Sequence, residues 1–227
     1  MITFLERWRG RARSLATFGD SITQALHIDP PAARWANRLA ALLGVSLVNR
    51  GLSGTVLQNS PDATGKPRAG NGRSRYVADL LGPDRTDLVA ILYGTNDARY
   101  TAAPATLNHD GFVRDYRAIL AGLFNAGYAP EAIVIGSPPH LPDAGFAVGA
   151  EDGFAGQTRE AFQRFVGTVK TIARDTGTYY APINEAMASP EADALILPDH
   201  VHPNAAGHAR IAEIFAGATQ LTTETSR

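Results

Sequence analysis

Short runs of apolar residues, each closed by Gly, Asp or Pro, recur along the chain and alternate with longer stretches of helical periodicity. Residues 15–18, 45–48, 88–93, 132–135 and 178–181 are rich in Leu, Val, Ile or Tyr and are too short for buried helices. Continuous apolar strands of this kind suit a parallel sheet covered on both faces. Between them, residues 33–43 carry Trp35, Leu39, Leu42 and Leu43. Residues 110–126 carry Phe112, Tyr116, Ile119, Leu120 and Leu123, a stripe repeating every 3.6 residues, and Phe162, Phe165, Val166, Val169 and Ile172 form another. A last helix is expected to start after Asn204, a good N-cap residue, and to run to about Ala216. The β-α-β-α order predicts an α/β sandwich.

Two stretches break this rhythm. Residues 59–72 hold five Gly or Pro in fourteen, and residues 137–156 hold seven in twenty with no Lys or Arg. Long loops inside a compact domain usually serve function, and ligands of open α/β sheets sit beyond the carboxyl ends of the strands. No linker or repeat divides the chain. One domain spanning 1–227 is expected, with its core over about 14–217 and a polar tail, 218–227, that frays.

Composition narrows the chemistry. The chain has 227 residues, 44% hydrophobic and 19% charged, enough apolar material for a sizeable core. The 21 basic and 22 acidic residues leave a net charge of -1, which argues against nucleic acid as a partner. There is no cysteine, so disulfides, thiolate metal sites and Cys nucleophiles are excluded. No apolar run approaches the roughly 18 residues of a membrane span. No signal peptide is read at the N-terminus, and a cytoplasmic location is expected. The basic run Arg7, Arg9, Arg11 and Arg13 reads as a solvated face.

Four short blocks follow strand exits or precede the last helix. Gly19-Asp20-Ser21-Ile22-Thr23 follows the first strand, and Ser21 there is either a helix N-cap or a nucleophile. The G-x-S-x-G elbow is absent, since position 23 is Thr. Asn49-Arg50-Gly51-Leu52-Ser53-Gly54 follows the second strand and Gly94-Thr95-Asn96-Asp97 the third. Gly and Asn are turn formers, and a Gly N–H and an Asn amide are also the donors an oxyanion hole needs. Asp199-His200-Val201-His202 lies near the C-terminus. An Asp three residues before a His can hold its ring as a base; alternatively Asp199, His200 and His202 could be metal ligands, or members of a plain surface loop.

Taken together, and in this order, the blocks closely resemble the SGNH hydrolases, the GDSL family. Ser21, Gly54, Asn96 and His202 supply the four residue types of the family name, and Asp199-x-x-His202 has the matching spacing. Ile22 stands where the family's short name has Leu. The resemblance runs from Thr17 to about Phe215. Arg34-Trp35, Gly51-Leu52-Ser53, Asn71-Gly72 before Tyr76, and Ser137-Pro138-Pro139 are similar to the small arylesterase and acyltransferase branch.

The resemblance implies a flavodoxin-like three-layer α/β/α sandwich with a roughly five-stranded parallel sheet. It implies a serine esterase with Ser21 as nucleophile, His202 as base and Asp199 as its orienting acid. The oxyanion hole would be the Ser21 and Gly54 N–H groups and the Asn96 amide. The expected substrate is a small ester with a short acyl group on an aryl, alkyl or sugar alcohol, handled without cofactor or metal. Relatives of this kind often assemble, so a homo-oligomer is compatible with the reading. The rival readings are a metal-dependent hydrolase using Asp199, His200 and His202, and a catalytically silent ligand-binding module. Asp20 and Asp97 are expected to brace their turns, His200 to be a loop side chain, Trp35 to pack, and His140 to approach the pocket rim. His27, His109 and His208 are expected at the surface or in caps.

Overall fold

The computed structural model describes residues 1–101 and 108–222. Its centre is a six-stranded sheet of β1 (Ser14–Gly19), β2 (Ser46–Gly51), β3 (Leu88–Leu92), β4 (Ile133–Gly136), β5 (Tyr179–Ala181) and β6 (Thr219–Gln220). The strand order is β2-β1-β3-β4-β5-β6. The first five are parallel, in the flavodoxin-like order, and β6 is antiparallel to β5. β3 and β4 are buried throughout, as continuous apolar strands between two helical layers must be.

The helices are α1 (Phe4–Trp8), α2 (Ser21–Gln24), α3 (Trp35–Leu43), α4 (Gly72–Leu80), α5 (Thr95–Arg99), α6 (His109–Asn125), α7 (Arg159–Thr176), α8 (Ile183–Met187) and α9 (Ala205–Ala216). Among the described residues, none is long and apolar enough to cross a membrane. The stripes read from sequence on α6 and α7 face the core: Phe112, Tyr116, Ile119 and Leu120 on one, Phe162, Phe165 and Val169 on the other are buried. Trp35 is wholly buried, stacked on Phe215 with ring centres 4.7 Å apart, and its indole N–H donates to the Ile22 carbonyl at 3.0 Å.

Two expectations are corrected. The second strand runs three residues past position 48, so Asn49, Arg50 and Gly51 lie within β2 rather than after it. The polar tail does not begin at 218. Ala218 is buried, its carbonyl accepts from Phe4 N–H at 2.8 Å, and Thr219 and Gln220 pair with Tyr180 and Tyr179. The free edge of β5 supplies backbone partners that a polar pair can use without any apolar signal of its own. Residues 223–227 of that tail lie outside the described residues. Beyond these, α4 follows the first Gly/Pro-rich loop with little local signal in the sequence. It reads Gly-Arg-Ser-Arg-Tyr-Val-Ala-Asp-Leu and buries only Gly72, Tyr76 and Leu80, too thin a stripe to mark a helix by periodicity.

Candidate active site

Three neighbouring strands deliver three of the four blocks to one edge of the sheet. β1 ends at Gly19, where any Cβ would collide with the Thr23 side chain and the Leu92 carbonyl. Asp20 then caps α2, accepting from Ile22 N–H at 2.9 Å, and Ser21 becomes the first helical residue. A first helical position has no intrahelical acceptor for its N–H, so that group faces outward from the helix start. Gly54 follows β2 with φ +74°, a backbone only glycine adopts without strain. Asn96 sits in the first turn of α5, just beyond β3. One of its amide N–H groups donates to the Thr55 carbonyl at 3.0 Å, and its oxygen meets Arg99 Nη1 at 3.4 Å.

The fourth block reaches this edge from the far end of the chain. Ile196 and Pro203 form an isolated bridge, and Leu197 N–H donates to the His202 carbonyl at 2.7 Å, pinching the segment between them into a tight loop. Asn204 closes the loop by capping α9 through Ala206 and Gly207 N–H while its amide donates to Ala194 O at 2.7 Å. Inside the loop Asp199 Oδ1 accepts from the N–H groups of Val201 and His202, both at 2.9 Å. Asp199 Oδ2 lies 2.7 Å from His202 Nδ1, and His202 Nε2 lies 2.8 Å from Ser21 Oγ. Both ring nitrogens of His202 are therefore engaged, one by a carboxylate and one by a hydroxyl.

Charge follows burial. Burial works to raise the Asp199 carboxyl, but bonds from His202 and Val201 N–H and from the His202 ring outweigh it and hold it below the ordinary value. Asp20 and Asp97 go the other way. Burial pushes Asp20 up to about 7, opposed by Ile22 N–H and reinforced by the nearby Asp97. Asp97 is pushed up to about 6 by burial, opposed by the Leu57 and Gln58 N–H groups that it accepts. Neither is hydrogen-bonded to the His202 ring; Asp20 caps its own helix, whereas Asp97 holds the backbone at Leu57 and Gln58 rather than its own turn.

The histidines fall in different settings. His208 is not at the surface but wholly buried, because its position on α9 faces α3. Arg34 offers no side-chain cap to α3, and His208 Nδ1 instead accepts from Trp35 N–H at 3.2 Å. Burial drives its pKa down to about 3. His109 is half-buried and joins α6 to α7 through Thr168 Oγ1 at 2.6 Å. His27 is exposed, yet its ring lies 4.8 Å from that of His202, a second imidazole beside the first that the sequence did not signal. Partial desolvation of the ring and, after it, the nearby His202 lower its pKa. His140 bonds to Asp193 at 2.6 Å, tying loop 137–156 to the turn before Asp199. His200 adopts φ +61° in the loop and takes no part in the Ser21–His202–Asp199 line. Among the described residues, no group of three or more His, Asp or Glu side chains could hold a metal ion.

The family model for the GDSL-like lipase/acylhydrolase family matches residues 17–210. The chain belongs to the GDSL-like lipase/acylhydrolase family. This GDSL hydrolase is thus an SGNH-type carboxylic ester hydrolase. No curated protein matches its sequence. Among solved structures, it is similar to a lipase/acylhydrolase from Enterococcus faecalis, with TM-score 0.64 and 19% identity over 93% of this chain and 100% of that one. It is also similar to a carbohydrate acetylesterase from Sinorhizobium meliloti (0.64, 23%, covering 90% and 96%). A third is an acetylxylan esterase from Geobacillus stearothermophilus (0.64, 20%, covering 89% and 92%). At these identities the likeness is one of fold.

Proposed function

We propose that this GDSL hydrolase is a serine esterase for small carboxylic esters with short acyl groups, acting through Ser21, His202 and Asp199. The observation that carries the reading is the unbroken line Ser21 Oγ–His202 Nε2–His202 Nδ1–Asp199 Oδ2, at 2.8 and 2.7 Å. A serine hydroxyl is a poor nucleophile at neutral pH without an adjacent base. His202 Nε2 takes the Ser21 proton as Oγ attacks the acyl carbon, and Asp199 accepts the Nδ1–H and stabilises the imidazolium. The oxyanion is met by the N–H groups of Ser21 and Gly54 and by the Asn96 N–H not given to Thr55. The imidazolium returns its proton to the departing alkoxide, leaving an acyl-Ser21 ester. Water then repeats the sequence and releases the acid.

The preference for short acyl groups rests on the covering loop. Of the apolar side chains in 137–156, Leu141 is buried, Phe146 packs on Phe162 and Phe154 packs on Tyr100, with ring centres 5.8 and 4.8 Å apart. They pack against the protein rather than forming a continuous trench, which a long chain would need to gain about 0.8 kcal/mol per buried CH₂. The acetylesterase names of two structural neighbours point the same way. The test is kcat/KM for soluble p-nitrophenyl esters from acetate to palmitate, with inactivation by a serine-directed phosphonate. We expect a maximum between acetate and butyrate, and stoichiometric phosphonylation of Ser21. A rise through octanoate overturns the acyl preference. Activity lost to prolonged chelation, restored by Zn²⁺ and insensitive to the phosphonate overturns the mechanism.

A further inference from the structure

One arginine outside the Ser21–His202 line ties together the exits of all three strands that carry the candidate oxyanion donors. Arg75, on α4, donates through Nη2 to the Gly19 carbonyl at 2.8 Å and through Nη1 to the Arg50 carbonyl at 2.8 Å. Gly19 ends β1 and Arg50 lies at the end of β2. The same Nη2 donates to the Tyr93 hydroxyl at 2.6 Å, directly beyond β3. Its guanidinium lies 4.3 Å over the Phe18 ring and pairs with Asp79.

From Tyr93 the chain of bonds continues toward Asn96, and its direction is determined. Arg75 can only donate, so the Tyr93 oxygen accepts from it and directs its own proton to Thr55 Oγ1, 3.2 Å away. The Thr55 hydroxyl directs its proton to the Leu52 carbonyl at 2.7 Å. Thr55 is thereby held at its side chain, and its carbonyl accepts from Asn96 Nδ2 at 3.0 Å. Tyr93 and Thr55 are both buried, so water does not compete for these bonds.

We propose that Tyr93, itself held by Arg75, is a positioning residue that aims the Asn96 amide at the oxyanion by way of Thr55. The proposal rests on the oxyanion role given to Asn96 above. An amide with one N–H fixed to a fixed carbonyl has its second N–H fixed too. A donor that rocks loses its advantage in the transition state and not in the ground state, so the effect belongs in kcat.

The experiment compares Tyr93→Phe, Thr55→Val, Asn96→Ala and the Tyr93→Phe/Asn96→Ala double variant by acylation rate with p-nitrophenyl acetate, alongside melting temperature. Tyr93→Phe leaves Arg75 bonded to Gly19 and Thr55 bonded to Leu52, so the fold survives. We expect a folded Tyr93→Phe with kcat about fivefold lower and KM within twofold. Thr55→Val, which breaks the chain one link later, gives a similar loss. In the Asn96→Ala background, Tyr93→Phe changes kcat less than twofold, since the group it aims is gone. Wild-type kcat in both folded single variants overturns the proposal, as does the same fivefold loss in the Asn96→Ala background. If Asn96→Ala alone keeps wild-type kcat, the oxyanion role of Asn96 fails and this proposal falls with it. A fivefold loss confined to the Asn96-containing proteins supports both.

Discussion

Asp97 and Asp199 do similar work in two different settings. Each carboxylate accepts two backbone N–H bonds and so holds a loop beside the candidate active site. Asp97 takes those of Leu57 and Gln58, forty residues away in sequence, at 3.0 and 3.2 Å. Asp199 takes those of Val201 and His202, its near neighbours, both at 2.9 Å. Asp97 is buried, whereas the Asp199 side chain is 47% exposed. Burial raises one carboxyl, and in the other the bonds outweigh burial and lower it. The buried aspartate thus serves architecture by joining two segments, while the exposed one stays ionised beside an imidazole. The same side chain becomes scaffold or chemistry according to how much water it keeps.

The sharpest way to separate the two settings is to remove the proposed nucleophile and leave both aspartates in place. Ser21→Ala should keep the melting temperature of the parent and reduce ester hydrolysis to near background. The remaining groups can still supply roughly 10³–10⁴-fold over water. Wild-type turnover in this variant would dismiss the mechanism.

The next comparison is between the aspartates themselves. Asp199→Ala should lower kcat/KM by about 10³–10⁴-fold, because His202 loses its orienting partner. Its stability should change by less than about 1 kcal/mol, since the half-exposed carboxylate is already solvated and its ion pair is worth little at the surface. Asp97→Ala should do the reverse in stability: two buried N–H groups lose their acceptor, at about 1–3 kcal/mol each. Urea unfolding of the two variants beside their ester kinetics measures the contrast, and equal stability losses would erase it.

Asn96→Ala tests the strand-exit side alone. We expect kcat about 10²–10³-fold lower with a smaller change in KM. An unchanged acylation rate would remove Asn96 from the site.

The last contrast is in how stability depends on pH. Asp20 has a folded value near 7, raised from 3.8, so the folded state holds its proton longer than the unfolded chain does. Its contribution is fully present below about pH 4 and is lost as pH rises through 7. His208 has the opposite sign. Its folded value near 3 is depressed from 6.5, so the stability of keeping it neutral is present above 6.5 and lost as pH falls toward 3. Asp20→Asn should therefore gain on the parent between pH 4 and 8, and His208→Gln should gain on it as pH falls from 7 to 4. Parallel curves for parent and variants would show that these groups do not titrate as their burial requires.

The legible parts of the molecule were those with a local signature. The buried runs of β1, β3 and β4 announced themselves as unbroken apolar segments between Gly, Asp and Pro. The stripes of α6 and α7 did so by period. The Asp199–His202 pairing is also local, because three residues within one pinched loop suffice to bring the carboxylate to the ring. Arg75, by contrast, stood in a polar run with nothing to distinguish it from solvent-facing arginines. Its partners at 19, 50 and 93 are brought together by strand order. His208 looked like a surface histidine until α9 was laid against α3.

What the sequence by itself determined was the kind of fold and the kind of chemistry. Apolar runs of strand length, separated by helical stripes, bury themselves efficiently only as a covered parallel sheet. Ser, Gly, Asn and an Asp–His pair at successive exits restrict what that sheet edge can do. Only the tertiary structure decided that Ser21 and His202, 181 residues apart, stand 2.8 Å from each other. It also decided which aspartate keeps water and which polar residues brace the edge from behind. The reason is physical: periodicity and capping act over a few residues, whereas burial and long-range hydrogen bonds depend on which segments the closed fold makes neighbours.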